Sequence, residues 1–449
     1  MPIIKKKAKQ PNPARTLTLS LLAVICTGTV LLCLPCSSKS GQWTDIVDCF
    51  FTATSATSTT GITVVETFAH WNIFGQIVLL FMMQIGGLGL VIILTFFNYA
   101  LGRKMGIMKA NAIAGELSVT GFVGVKRLFI RIGTYTLIME LVGAAIMCFT
   151  LVPQYGGYGI FMAVFTSVSA FCNAGLDLFG IGDGFSGYSS TPQVHMVIAA
   201  LVFIGGIGFV VWDNVRNYFK TKRILMHTKL VLIYSGALFA IGFFAYFLVT
   251  MLHGEKFGGM SIPDKLLCSA FTSVSARSAG FNIMDIGLAN DFSKLVTIGL
   301  MFIGSGPAST GGGIRVTTLA ILLATVAASI RGRDDARLYG HRVHKRLVYK
   351  AITVLMLSVG FIIICFAIIY LLNPELPEVD ILYEIISAFT TTGFSTGLSS
   401  KVDTVSKLML CFAMLVGRVG PVSLLLTFTS DKGGGDKDKI LPDCELLIG

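Results

Sequence analysis

The chain has 449 residues, of which 54% are hydrophobic and only 13% charged, about half the charged share of an ordinary soluble domain. With a mean hydropathy of +0.77, this composition excludes an intrinsically disordered chain and a disulfide-stapled secreted domain, and argues against a cytosolic enzyme. The formal net charge of +11 would suit a nucleic-acid binder, but 26 of the 35 basic residues fall in the gaps on one side of the apolar runs, the pattern of membrane topology, so no nucleic-acid partner is expected.

In chain order, a basic segment 1–15 precedes apolar runs at 16–34, 77–97, 132–152, 194–211, 229–252, 295–323, 351–372 and 407–428. These are eight candidate membrane helices, each near the roughly 20 residues that cross a bilayer. The first resembles a signal peptide, with Lys5, Lys6, Lys7, Lys9 and Arg15 ahead of it, but the repeat described next requires it as a span. The distribution of Lys and Arg puts both termini, including the tail 430–449, on the cytoplasmic side. The ten cysteines lie mostly in or beside apolar runs, and the one CxxC, Cys33 to Cys36, has no second ligand pair, so neither a disulfide framework nor a metal site is expected.

Four Ser/Thr-rich segments ending in glycine follow the odd-numbered runs, closing at Gly61, Gly175, Gly280 and Gly393. A second glycine landmark recurs beyond each, at Gly86, Gly205, Gly304 and Gly417, at separations of 25, 30, 24 and 24 residues. The chain therefore divides into repeat 1 (16–97), repeat 2 (132–215), repeat 3 (229–323) and repeat 4 (351–429). Each reads as helix, half-helix, glycine loop, helix, in an all-α polytopic membrane protein with pseudo-fourfold symmetry around a central pore. The half-helices, about twelve residues and ~18 Å long, are too short to span hydrocarbon, and polar loops at that depth must line a cavity or be buried in protein.

Rings of backbone carbonyls can replace the hydration shell of a monovalent cation without a fixed charge, and glycine lets the backbone aim them at an axis. The candidate ligands are the carbonyls of Thr60, Gly61, Ala174, Gly175, Ala279, Gly280, Thr392 and Gly393, flanked by Thr59, Asn173, Ser278 and Thr391. The loops contain no ring of acids of the kind a divalent-cation filter uses. The third repeat departs from the pattern: Ser305, Gly306, Pro307, Ala308, Ser309, Thr310, Gly311, Gly312 and Gly313 interrupt its last run, which breaks a helix and marks a pathway element over 305–314. Arg418 lies inside the eighth run, where a charge needs compensation, and the landmark register places it level with that loop, whose carbonyls are the expected acceptors. Arg315 reads either as a gate element or as a cytoplasmic charge. Arg277 is expected to anchor the third half-helix through Asp285 or Asp291, and Glu140 to pair with a base or an interhelical hydroxyl.

The four loops resemble the selectivity filter of the Trk/Ktr/HKT superfamily of potassium transporters, and the eight-span plan is most similar to the bacterial KtrB-type membrane subunit. The resemblance implies K⁺ as the transported ion, with glycine in all four filter positions associated with K⁺ selectivity. It implies 305–314 as an intramembrane gate with Arg418, and a bacterial plasma-membrane homodimer. It further implies activation by Na⁺ and a cytosolic RCK-type ring (KtrA-like) that carries ATP or ADP and docks on inner basic loops such as 331–350, where anionic membrane lipid is an equal alternative. No cofactor is expected in this chain. A Trk-type transporter or a less selective monovalent-cation channel is the alternative, and a receptor or scaffold comes third. An enzyme is not expected: the GxSxG match at Gly393 to Gly397 has no histidine after it, and there is no Walker A motif. His341 and His344 have helical spacing but are too few for a metal.

Overall fold

The computed structural model describes residues 13–89, 122–179, 192–252, 261–283 and 291–428. Most of the inner basic segment 98–131, residues 1–12, Asp285 and the tail 430–449 lie outside the described residues.

Each repeat opens with a leading helix: Pro13–Cys33, Phe122–Tyr155, Met226–Leu252 and Lys345–Leu372. Among the described residues three helices are long and apolar enough to cross a membrane alone, and all are leading helices: Ile130–Tyr155, Met226–Leu252 and Lys345–Leu372. Their exposed faces carry large apolar side chains such as Leu141, Phe149, Phe244, Ile363 and Ile364, as a lipid-facing surface does and a water-facing one does not.

Four pore helices follow: Ile46–Ser58, Gly157–Phe171, Ile262–Ser275 and Glu378–Thr390. Asp45 caps the first by accepting from the Val47 and Asp48 amides, and Ser261 caps the third by accepting from Asp264 N, so orphan amides at these N-termini are satisfied. Each has 13 to 15 residues, roughly 20 Å at 1.5 Å per residue. They are lined with hydroxyls and largely buried, and two of them are held to their leading helix through those hydroxyls. Ser167 Oγ donates to Glu140 O at 2.6 Å and Ser273 Oγ to Phe239 O at 2.8 Å.

The trailing helices correct an expectation. Continuous runs were expected at 77–97, 194–211 and 407–428, with a break in the third repeat alone. All four break instead. Ile73–Leu88, Pro192–Ile207 and Thr404–Val419 end at Gly89, Gly208 and Gly420, whose φ values of 82°, 105° and 88° no L side chain adopts easily. In the second repeat the chain then turns by 95° into Phe209–Thr221, and in the fourth it continues as Pro421–Phe428. The third trailing helix is Asp291–Phe302, resuming as Val316–Ile330 after the loop. Every break lies three residues beyond the landmark glycine or, in repeat three, begins beside it.

The landmark glycines have a packing role. A Cβ on Gly86, Gly205 or Gly417 would overlap the carbonyl oxygen of Thr57, Phe171 or Phe389, in each case the residue four before the loop glycine. In the third repeat Gly304 faces the Gly312 carbonyl instead: the inserted loop has taken the pore helix's place. Gly417→Ala is therefore expected to cost at least about 1–3 kcal/mol by overpacking and to lower the yield of monodisperse protein on size exclusion. Gly360→Ala, with nothing within 4 Å of the added methyl, should keep or raise the yield.

Buried side chains form two large cores. One joins repeats one and two with the third pore helix, around Ile25, Met83, Phe165, Leu201 and Phe271; the other joins repeats three and four with Phe51 and Ile62 of repeat one. The segment 331–344 forms a short hairpin in which Arg337 pairs with Arg342 and Leu338 with His341. His341 and His344 are thus not on a helix as their spacing suggested, and no cluster of three metal-ligating side chains occurs among the described residues.

Candidate ion pathway

The four glycine loops come together at the C-terminal ends of the pore helices. Ser55 and Ser387, six residues before Gly61 and Gly393, accept the glycine amides on their hydroxyls at 3.1 Å each. Their carbonyls, with that of Ser169, accept from Thr60, Ala174 and Thr392 at 2.8 to 3.0 Å. In the third loop, one residue shorter, Ser275 Oγ donates to Phe281 O at 2.6 Å. These serines were missed in the sequence, although they stand in register in all four repeats. Chain reversal needs a left-handed residue two before the glycine, which is Thr59, Asn173 and Thr391 at φ 56°, 56° and 51°. The glycines themselves have φ of 95°, 65°, 70° and 94°, a region that disfavours any side chain.

The loops close on one another in sequence order. A Cβ on Gly61 would overlap the Ala174 carbonyl, on Gly175 the Ala279 carbonyl, on Gly280 it would stand 2.6 Å from the Thr392 carbonyl, and on Gly393 it would overlap the Thr60 carbonyl. The residue before each glycine thus presents its carbonyl to the preceding repeat, and the first closes the ring on the last. Four helix C-termini, each with a partial negative charge, end at this ring with no fixed acid in it, so the assembly favours a cation without fixing one permanently.

Beside the ring lie the flanking side chains and the 305–314 loop. Asn173 and Ser278 are hydrogen-bonded at 2.9 Å, Thr59 Oγ1 donates to Thr310 O at 3.1 Å, Gly312 is packed on Thr391 with no room for a Cβ, and Gly313 lies tightly against Thr390. The loop is held at its ends by Gly304 N to Ile314 O at 3.0 Å and Val316 N to Ser305 O at 3.3 Å. It is also tied across to the break in repeat two, through Gly306 N to Gly206 O and Phe209 N to Ala308 O, both 2.9 Å.

Two arginines bind the loop. Arg418 donates to Thr310 O, to Gly86 O and, at 3.2 Å, to Gly87 O. Arg315 donates to Gly311 O at 2.5 Å, and to Ser305 Oγ and Gly306 O at 3.3 Å each, so its side chain lies against the loop. These acceptors are carbonyls and hydroxyls, which suits a loop whose acceptors are backbone oxygens and serine hydroxyls.

Two other expectations are corrected. Arg277 does not reach Asp291, which pairs weakly with Lys294 at 4.0 Å, while the other expected partner, Asp285, lies outside the described residues; Arg277 donates to Ser235 O and Gly304 O at 3.3 and 3.5 Å. It sits at the C-terminal end of its pore helix, whereas Asp291 opens the trailing helix at the other end. Glu140 pairs with neither a base nor a hydroxyl through its carboxylate: it accepts from the Gln84 amide at 3.2 Å and the Cys172 thiol at 3.9 Å. The serine of the GxSxG match, Ser395, donates to Glu384 at 2.8 Å.

Comparison with known proteins agrees with this geometry. The family model described as TrkH, cation transport protein, matches residues 5–433. The chain is 34% identical to Ktr system potassium uptake protein B of Bacillus subtilis, covering 98% of this chain and 97% of that one, and 34% identical to the protein of the same name from Vibrio alginolyticus, covering 94% and 92%. It is 30% identical to the potassium/sodium uptake protein NtpJ of Enterococcus hirae over the whole of both chains. The crystal structure of the potassium transporter TrkH from Vibrio parahaemolyticus shares the fold, with a TM-score of 0.73 at 17% identity over 95% of this chain and 86% of that one. The chain belongs to the TrkH family of cation transport proteins.

Proposed function

We propose that this chain is the ion-conducting membrane subunit of a potassium uptake system. The observation that carries the reading is the closed ring of four glycine loops, with carbonyls and helix C-termini converging and no acid in the ring. K⁺ sheds its water at the carbonyls of Thr60, Gly61, Ala174, Gly175, Ala279, Gly280, Thr392 and Gly393, with Thr59, Asn173, Ser278 and Thr391 at the inner end. It then meets the gate, 305–314, held by Arg418 and Arg315. Both termini lie in the cytoplasm, so an inside-negative membrane drives entry with about 2.3 kcal/mol per charge per 100 mV and no chemical catalysis is required.

The names of the relatives, Ktr system potassium uptake protein B and potassium/sodium uptake protein, support K⁺ as cargo and an involvement of Na⁺, which we take to be that of an activator. A homodimer regulated by a separate nucleotide-binding RCK-type ring, docked on the hairpin side at 331–350, fits the exposed bases Arg333, Arg337, Arg342 and Lys345. The test is ⁸⁶Rb⁺ and ²²Na⁺ entry into proteoliposomes holding the purified chain. Saturable Rb⁺ entry blocked by K⁺, with Na⁺ entry far slower, is the expected result; equal entry of both ions would replace it with a less selective cation channel.

A further inference from the structure

The trailing helices carry a register that neither the filter nor the gate uses. The fourth residue of each, ten before its landmark glycine, is Gln76, His195, Lys294 and Lys407. Every one of these side chains reaches the pore helix of the next repeat. Tyr158 donates its hydroxyl to Gln76 Oε1 at 3.0 Å, and the His195 ring meets Phe271 edge-on with centroids 5.5 Å apart. Lys294 Nζ donates to Asp380 Oδ1 at 2.6 Å and Lys407 Nζ to Asp48 Oδ1 at 2.8 Å. The order is one to two, two to three, three to four and four to one, so the contacts close a second ring, parallel to the ring of carbonyls.

Two of the four seams are ion pairs, and they are equivalent to each other. Asp48 and Asp380 each stand 13 residues before their loop glycine, in the first turn of a 13-residue pore helix. That helix is a stiff rod with the carboxylate at one end and the filter turn at the other, so moving the carboxylate tilts the carbonyls. The pairs are largely out of water, with side-chain exposures of 9% and 19% for Lys294 and Asp380 and 16% and 22% for Lys407 and Asp48. Salt therefore screens them little, and loss of one partner leaves a charge uncompensated. The acids also favour the positive N-terminal ends of their own helices, which orients each carboxylate toward the incoming lysine.

We propose that these four side chains are positioning residues for ion selectivity. They lock each pore helix to the preceding repeat at the spacing that discriminates K⁺ from Na⁺, with the Lys294–Asp380 and Lys407–Asp48 pairs carrying the largest share. This rests on the filter reading above. It makes the filter mechanically uneven: stiff from repeat three through four to one, where charges hold it, and softer across repeat two, where a neutral hydrogen bond and a ring edge do.

The test uses purified full-length protein in nanodiscs, titrated with K⁺ and with Na⁺ while the thermal midpoint is followed; the ratio of the two apparent affinities is the readout. Lys407→Met is expected to lower the K⁺/Na⁺ ratio about tenfold, equivalent to about 1.4 kcal/mol, and Lys407→Arg to keep it within about twofold, because the charge is retained. The exchange Lys407→Asp with Asp48→Lys should recover part of the loss, since a lysine in the first turn opposes the helix dipole. Gln76→Ala, at a neutral seam, should change the ratio by less than about threefold. If Lys407→Met fails to fold, Lys294→Met tests the same statement at the other seam. A lower basal midpoint with an unchanged ratio would show the pairs to be scaffolding and overturn the inference. A wild-type protein that K⁺ stabilises no better than Na⁺ would overturn the filter reading itself and this inference with it.

Discussion

Gly280→Ser lowers the apparent affinity for K⁺ by at least about tenfold, the largest loss expected from any single loop substitution that still allows folding. The added Cβ would stand 2.6 Å from the Thr392 carbonyl oxygen, 2.7 Å from Gly393 Cα and 2.8 Å from Gly393 C. All three are backbone atoms of the next loop in the ring, and the first is itself a candidate ligand. A flexible side chain would yield, but a carbonyl bound into the ring moves only by moving the cation site. The residue also has φ of +70°, which costs an L side chain about 1–2 kcal/mol.

The two costs are separable. Gly397 has φ of +79° but nothing within 4 Å of an added methyl, so Gly397→Ala carries the backbone strain without the clash. It should lower stability slightly and leave affinity unchanged. Concentration dependence of Rb⁺ uptake in cells that lack other potassium uptake gives both numbers; equal affinities for Gly280→Ser and wild type would remove Gly280 from the site.

Much of this arrangement is legible in the sequence because it depends on residues with few substitutes. Gly61, Gly175, Gly280 and Gly393 are visible because a left-handed turn inside a packed ring tolerates no Cβ, and Gly86, Gly205 and Gly417 because a helix there lies on a carbonyl. The 305–314 insertion is visible because proline and five glycines between 304 and 313 cannot continue a helix.

What escaped depended on direction. The breaks at Gly89, Gly208 and Gly420 escaped because these glycines stand within apolar runs, and hydropathy does not distinguish a helix that ends at glycine from one that passes through it. Arg277 was assigned a carboxylate because a buried charge normally seeks one, whereas the structure surrounds it with carbonyls at the opposite end of its helix. Gln76, His195, Lys294 and Lys407 differ so much in chemistry that only their shared position, fourth in each trailing helix, reveals them as one set.

Deleting 306–313 raises the flux of K⁺ by at least about tenfold, the gain expected if the loop contributes a barrier of about 1.4 kcal/mol or more. The deletion is structurally permissible because the ends are already joined: Gly304 N donates to Ile314 O at 3.0 Å and Val316 N to Ser305 O at 3.3 Å, so the two halves of the third trailing helix keep their contact without the loop. Arg418→Met should raise flux less. It leaves the carbonyls of Thr310, Gly86 and Gly87 without their donor, at roughly 1–3 kcal/mol for each buried acceptor left unmade, and so loosens the loop and lowers the thermal midpoint. Arg315 nevertheless still holds Gly306, Gly311 and Ser305. The order wild type, Arg418→Met, deletion in rising Rb⁺ flux is therefore the signature of a gate with two clasps. A deletion variant that remains monodisperse but conducts no faster than wild type would mean that the loop braces the third repeat and does not obstruct the path.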